Sequence, residues 1–368
     1  MGVSRIVEKN PPLSRKDKAN QIKRNKKKRT LRIVLLFLLM SLLCMVSIVG
    51  YAYISLDKAL NKIASSPSKA VSAAETKAEV DEHPEDTQKP FAVAIIGTDN
   101  RPGSGGTLNT DVLMVAVVDP SKHDVHLLSI PRDTKVKIPG YSGYRKANSA
   151  YALGETKRIQ QEKAKKEVTT SGVSVVRDML SDYLEIPVRS YVTIDFKGFE
   201  AVVDAVGGLK INVQKSMIYD SYADGTHIRI SKGEQVLDGK NTLDYVRHRL
   251  DNRGVNYQSS DFERNERQQE VIKALVSKLI TIEGMKNLPN VLEAVVEHTS
   301  TNLTREQMGA LIPDLKTISN ERISTIANQA YWDSKQSFTV IPEERLNEIR
   351  AELKELLEGR ELEKQEQE

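Results

Sequence analysis

A chain of 368 residues with a formal charge of +4 and one cysteine can bury a sizeable core in one large domain or two small ones. It cannot be a disulfide-stapled scaffold. The charge is unevenly spread. Residues 1–32 hold twelve Lys/Arg and two Asp/Glu, a head of +10, residues 33–56 hold no charge, and the rest therefore carries −6 against the +4 of the whole.

Ile33 to Leu56 is uncharged and long enough to span a bilayer, which takes roughly 20 apolar residues. Tyr51 and Tyr53 stand near its outer end, where interfacial aromatics belong, and Lys26-Lys27-Lys28-Arg29 precede it. The positive-inside rule then places residues 1–32 in the cytoplasm and the body outside. A cleaved signal peptide, the competing reading, has a shorter apolar core and a small-residue cleavage site. Basic clusters can bind nucleic acid, yet beside a span this one is more simply an orientation signal with affinity for anionic lipid. Nucleic acid is not an expected partner. Residues 57–90, rich in Ala, Ser, Lys and Glu with three prolines, read as a spacer.

Three apolar runs follow: Phe91–Gly97, Val112–Val118 and Val125–Ile130. Bounded by Gly, Pro, Asn and Asp, they read as strands. Paired as a meander, they bring Asp99, Asp111 and Arg132 to one rim, with Arg101 and the Gly103–Gly106 loop beside them. Val136–Ile138 is a further short strand. Lys146–Tyr151 opens a helix, Thr169–Ser171 caps another, and Pro187 ends that one. Val188–Ile194 and Leu209–Val213 read as strands around the helix Phe196–Val206, which Gly207-Gly208 stops. A helix after Asp238-Gly239 runs to Arg247-His248-Arg249, and a polar loop leads to the helix Asp261–Ile280. Met285–His298 and Arg305–Leu315 read as helices, Ile323–Ala327 and Ser337–Ile341 as strands. Pro342 starts a terminal helix that frays from about Glu355. Alternating strands and helices imply a layered α/β fold with helices covering a mixed sheet.

Two carboxylates at adjacent strand ends suit Mg²⁺, which takes one or two carboxylates plus phosphate oxygens. Asp at strand ends also simply makes turns, and spacing alone leaves both readings open. Arg101, Arg132, Arg247, Arg249 and Arg264 lie at element ends. Arginine suits bidentate phosphate binding, although a lone Arg more commonly makes a surface ion pair. Asp261, Arg264 and Gln268 share one helix face, with Arg267 on an adjacent one. By itself this helix start reads as a solvated first turn with an i, i+3 ion pair. The glycine loop matches neither a P-loop nor a dinucleotide fingerprint. Six scattered histidines argue against zinc, and the lack of a G-x-S-x-G elbow argues against a serine hydrolase.

The ordered set Gly97-Thr98-Asp99-Asn100-Arg101, Thr110-Asp111, Ile130-Pro131-Arg132-Asp133, Lys146-Ala147-Asn148, Arg247-His248-Arg249 and Asp261-Phe262-Glu263-Arg264 with Arg267-Gln268 resembles the LytR-CpsA-Psr family of Gram-positive bacteria. Ala147 stands where a bulkier apolar residue is common. The resemblance implies a three-layer α/β/α sandwich over residues 91–345, holding a polyprenyl phosphate lipid in an apolar tunnel. A single N-terminal transmembrane helix (33–56) would precede it, and a charged C-terminal helix or tail (346–368) would follow. It also implies transfer of an anionic glycopolymer, a teichoic acid or capsular polysaccharide, from a polyprenyl diphosphate carrier to peptidoglycan. Asp99 and Asp111 would bind Mg²⁺, or Mn²⁺ in its place. Arg101, Arg132, Lys146, Arg247, Arg249, Arg264 and Gln268 would hold the diphosphate. Asp261 would be the candidate base, with Arg132 and Arg264 completing the catalytic set. The expected location is the cell membrane, single-pass type II, with the catalytic domain in the extracellular Gram-positive envelope. Two other functions fit the same residues, a polyprenyl diphosphate phosphohydrolase and a non-enzymatic lipid-binding regulator of the envelope.

Overall fold

The computed structural model describes residues 89–98, 108, 110–122, 124–222, 225–279, 290–294, 296–304, 307–308 and 323–360. The expected head, span and nearly all of the spacer lie outside these residues, as do Asp99, Arg101 and the glycine loop. No helix among the described residues is long and apolar enough to cross a membrane.

The fold is mixed α/β around a six-stranded sheet. Its first three strands, β1 (Phe91–Thr98), β2 (Thr110–Asp119) and β3 (Asp124–Ser129), pair antiparallel as the expected meander. After the hairpin β4 (Lys135–Lys137) and β5 (Tyr144–Lys146) come α1 (Ser149–Lys163) and α2 (Gly172–Leu184). The chain then returns as β6 (Ser190–Asp195), parallel to β1. The sheet order is β11-β6-β1-β2-β3-β12, with β11 (Thr299–Thr301) antiparallel to β6 and β12 (Ile323–Ile326) parallel to β3.

Near-continuous apolar runs, rather than alternating ones, arise because both faces of a strand are covered. Ala92, Ala94 and Ile96 of β1 pack with α2 residues Met179 and Leu180, and with Ile349 and Leu353 of α6 (Glu343–Leu357). Phe91, Val93 and Ile95 face the other way, towards Ile272 and Val276 of α5 (Asp261–Leu279). A second core joins α3 (Phe196–Ala205), β7 (Leu209–Val213), the hairpin β8 (Met217–Ser221) and β9 (Thr226–Ile230), β10 (Gly233–Leu237), α4 (Gly239–Arg247) and Val271 of α5.

Several elements differ from expectation. Tyr144–Lys146 is a strand, and the helix opens at Ser149. Gly140 and Gly143 adopt positive φ, so the chain turns back along β4 before any helix can start. The strands β8, β9 and β10 were not expected. Residues 296–298 form a turn leading into β11, not the end of a helix. The terminal helix does not fray at Glu355; it continues to Leu357 because Leu356 is buried in the core.

Two glycines set close approaches that matter for the site. The β1–β2 register shifts between Gly97 and Thr98, where a Cβ on Gly97 would lie 2.9 Å from the Val112 Cβ. At Gly239, which opens α4, a Cβ would lie 2.2 Å from the Glu200 carbonyl oxygen. The obstacle there is backbone, so Gly239→Ala must push α4 from α3. A cost of at least about 2 kcal/mol is expected from such overpacking, read as a lowered urea midpoint, together with weaker ligand binding because α4 carries Arg247.

Candidate functional site

A cavity of ≈ 170 Å³ opens at the rim of the sheet, lined by Asp111, Arg132, Val246, Arg247, Arg249, Arg264 and Gln268. Four segments far apart in sequence meet there. Asp111 opens β2, and Arg132 follows β3. Arg247 ends α4, with Arg249 just beyond, and Arg264 and Gln268 lie one turn apart on α5. Lys146 stands beside the cavity: its Nζ lies 3.2 Å from Asp133 Oδ1. Asp99 and Arg101 fall outside the described residues. Asp261 begins α5, but its side chain does too.

Local structure explains these placements. Backbone bonds tie the Lys146-Ala147-Asn148 segment between the two strand ends. Asn148 N–H donates to the Arg132 carbonyl at 2.9 Å, Thr110 N–H to the Asn148 carbonyl at 3.3 Å, and Ala147 N–H to the Thr134 carbonyl at 3.0 Å. Ala147 itself is fully buried. Arg132 Nη1 lies 3.4 Å from Asp111 Oδ1, and its Nε lies 3.9 Å from Asp133 Oδ2. That Nε is buried and has no hydrogen-bond acceptor among the described residues. An unsatisfied buried N–H is costly, and a ligand oxygen would relieve it.

Asp238 caps the start of α4, the helix that ends at Arg247, by accepting from the Asn241 N–H at 2.8 Å. The Arg247 guanidinium stacks over Phe196 with its carbon 4.4 Å from the ring centroid. At the start of α5, Ser260 N–H donates to Glu263 Oε2 at 2.7 Å and Glu263 N–H to Ser260 Oγ at 3.1 Å. This is a capping box, legible in the sequence as Ser260-x-x-Glu263, and Lys215 braces it through Glu263 at 2.6 Å.

The solvated reading of this helix start is wrong. Arg264, Arg267 and Gln268 are each buried to within 7 % of full burial. Arg267 does not face the cavity; it holds the wall. Its Nη2 donates to the His248 carbonyl at 2.6 Å and its Nη1 to Ser259 Oγ at 3.0 Å, and it stacks over Tyr245. Ser259 Oγ sits 3.0 Å from His248 Nδ1, while His248 Nε2 sits 3.3 Å from Asp251 Oδ2. Burial, then the nearby Arg267 charge, lowers the His248 pKa to about 4 against the pull of Asp251, so the ring is neutral at physiological pH. A hydrogen-bonded Arg253 holds Asp251 well below the usual carboxylate range. Asp251 and Ser259 lie in a polar loop with no spacing to mark them, and His248 enters the sequence pattern only as the middle of Arg247-His248-Arg249.

The cavity thus has four guanidiniums against one carboxylate. Like charges this close repel, so an anion with several oxygens is the natural occupant, and Arg forks suit phosphate. Among the described residues no three His, Cys, Asp or Glu side chains gather as a ready cation site. One cavity-facing carboxylate, Asp111, is still compatible with Mg²⁺, which draws the rest of its ligands from phosphate and water.

The family described as LytR_cpsA_psr matches residues 51–355. The polyisoprenyl-teichoic acid–peptidoglycan teichoic acid transferase TagU of Bacillus subtilis is 32% identical over 294 residues, 80% of this chain and 84% of its own. The protein of the same name from Enterococcus faecalis is 30% identical over 73% of this chain and 80% of its own. Among solved structures, B. subtilis TagV superposes with a TM-score of 0.58 at 27% identity, covering 74% of this chain and 98% of that one.

Proposed function

The chain belongs to the LytR-CpsA-Psr family, and from that premise we propose that it is a membrane-anchored transferase moving an anionic glycopolymer from a polyprenyl diphosphate carrier to peptidoglycan. The single observation that carries the reading is the cavity itself. Asp111, Arg132, Arg247, Arg249, Arg264 and Gln268 come from four distant segments to one small, strongly cationic pocket. Only a polyanion justifies that concentration of charge, and the relatives' names supply a polyprenyl-linked donor.

In this reading the arginines grip the diphosphate, with Gln268 and the adjacent Lys146 completing the clamp. The partly buried apolar residues Ile95, Val112, Val192, Ile272 and Val276, between the sheet and α5, support a slot for the lipid tail that starts next to Asp111. The helices on both faces of the sheet are read as the outer layers of an α/β/α sandwich over 91–345. Residues 33–56 are read as the anchor, which holds the domain outside the membrane beside its lipid donor.

An acceptor hydroxyl on peptidoglycan attacks the glycan-side phosphorus. A new P–O bond forms, the bridging P–O bond breaks, and polyprenyl phosphate leaves with the electron pair. The acceptor proton passes to Asp261, placed one turn before Arg264. Positioning and charge neutralisation do most of the work in such transfers, and the arginines stabilise charge on the departing phosphate. Asp111, with Asp99, would hold Mg²⁺, or Mn²⁺ in its place, which would supply further neutralisation of phosphate charge.

The test is in vitro transfer by the purified full-length chain, using a polyprenyl-linked donor and peptidoglycan oligomers. Polymer–peptidoglycan adduct and polyprenyl phosphate are expected in equal amounts, with at least a tenfold loss, roughly, on chelation of divalent ions. Phosphate release at an undiminished rate without peptidoglycan would assign a hydrolase instead. Lipid binding with no turnover under any condition would assign a regulator.

A further inference from the structure

Next to the arginine pocket lies a surface of which the transfer chemistry uses only Lys146. In the β4–β5 hairpin, Lys135 pairs with Lys146 and Lys137 with Tyr144. Residues directly opposite in a ladder, and those two apart, share a face, so three lysines and a tyrosine project together. The opposite face is occupied by Val136, which is buried, and Arg145. A second hairpin, β13 (Tyr331–Asp333) and β14 (Phe338–Val340), docks on the first through the Thr339 N–H to the Asp133 carbonyl at 2.9 Å. Lys135 Nζ also reaches Gln336 Oε1 at 2.5 Å. This second hairpin carries Trp332, the only tryptophan of the chain.

The aromatic rings are open to solvent, Tyr144 at 54% and Trp332 at 44%. Each has a cation over it: Lys135 Nζ is 4.3 Å from the Tyr144 centroid, and Lys146 Nζ is 5.4 Å from that of Trp332. Lys146 is also the link to the pocket. Its Nζ contacts Asp133, which contacts Arg132, which lines the cavity. The carboxylates facing the surface are Asp133, already shared by Lys146 and Arg132, and Asp333, engaged by Gln336.

We propose that this aromatic and basic surface, Trp332 and Tyr144 with Lys135, Lys137 and Lys146, is a subsite for the anionic glycan of the donor, just beyond its diphosphate. The inference rests on the transferase reading above. Two arguments select this occupant. The surface adjoins the diphosphate pocket through the Lys146–Asp133–Arg132 ion pairs, and the segment attached to the phosphate must leave across some neighbouring rim. Its charge is complementary to a polyanion, while its exposed ring faces suit the apolar C–H face of a pyranose, the usual task of amphipathic aromatics at wet interfaces. A phosphate-bearing polysaccharide offers both features in repeat.

The sole tryptophan provides a direct readout. The full-length chain in detergent is titrated with soluble, lipid-free teichoic-acid-type oligomers while Trp332 fluorescence is followed. A saturable change is expected. It should weaken about tenfold in a Lys135→Ala/Lys137→Ala double variant, and also on raising salt from about 50 to about 500 mM, because exposed charges are screened. The same titration of Arg132→Ala, which lacks the pocket's clamp, should still saturate, so a failure of the transferase reading and a failure of the subsite are told apart. In transfer assays, Trp332→Ala should lower the ratio of kcat/KM for a long-chain donor to that for a donor with one sugar, by about tenfold for a lost aromatic contact. Fluorescence that answers to anionic phospholipid vesicles or neutral muropeptides but not to the oligomers would overturn the proposal. So would a long-to-short ratio unchanged in both Trp332→Ala and the double lysine variant.

Discussion

Arg132→Ala is expected to lower single-turnover transfer by about 10³-fold, the loss seen when one preorganised charge donor at a developing anion is removed. The fold should survive. Arg132 is partly exposed, and its ion pairs with Asp111 and Asp133 are long, 3.4 and 3.9 Å, so their loss costs no more than about 1 kcal/mol. The catalytic loss is larger because Arg132 is the one guanidinium that the sheet rim brings to the cavity, whereas Arg247, Arg249 and Arg264 come from α4, the residues after it and α5. A diphosphate held only by those segments loses its in-line orientation as well as its charge partner. Arg132→Lys separates the two effects. It keeps the charge and gives up the planar fork, so an intermediate rate, down by about 10²-fold, is expected. Wild-type turnover in a purified Arg132→Ala variant would remove the pocket from the chemistry.

How much of this could be read from the chain depends on where the information resides. The rim was legible because three apolar runs of strand length, joined by short connections, have few ways to pair. A meander necessarily brings the start of β2 and the end of β3 together, hence Asp111 and Arg132. Gathering Arg247, Arg249, Arg264 and Gln268 onto that rim could not follow from spacing; it came with the family motif set, and the structure places all four in the cavity lining. The start of α5 reads as solvated from its own sequence, yet Arg264, Arg267 and Gln268 are buried, with His248 and Ser259 after α4 bonded to Arg267, and only tertiary packing decides that. The Ser260-x-x-Glu263 capping box marks where the helix starts and says nothing of its burial. β9 was legible in principle, since His227 and Arg229 are exposed while Ile228 and Ile230 are buried. β5 was not, because three residues cannot show a period.

Arg267→Met is the variant expected to cost most in stability, about 2–4 kcal/mol near neutral pH, the range for breaking a buried, hydrogen-bonded charge. Methionine fills much of the volume but leaves the His248 carbonyl and Ser259 Oγ without their donor. The penalty should depend on pH. The unfolded chain protonates His248 near pH 6.5, whereas the folded loop keeps the ring neutral down to about 4. Stability from this group is therefore full above about pH 6.5 and falls by up to roughly 3 kcal/mol as pH drops to about 4. Asp251 contributes separately. Held below the carboxylate range by Arg253, it stabilises the fold above about pH 3.9 and stops doing so only in stronger acid. Removing the Arg267 charge relieves part of what keeps His248 neutral, so the variant should lose less between pH 6.5 and 4 than the parent. The stability gap between the two should be widest near pH 7.5 and narrow at pH 4.5, measured by urea denaturation of the full chain in detergent. A gap independent of pH would show that the His248 ring and Arg267 are not coupled. Activity should fall too, by about 10²-fold for a displacement near 1 Å, since the Arg249 carbonyl is held by the Ser259 N–H at 2.8 Å and Ser259 is what Arg267 secures.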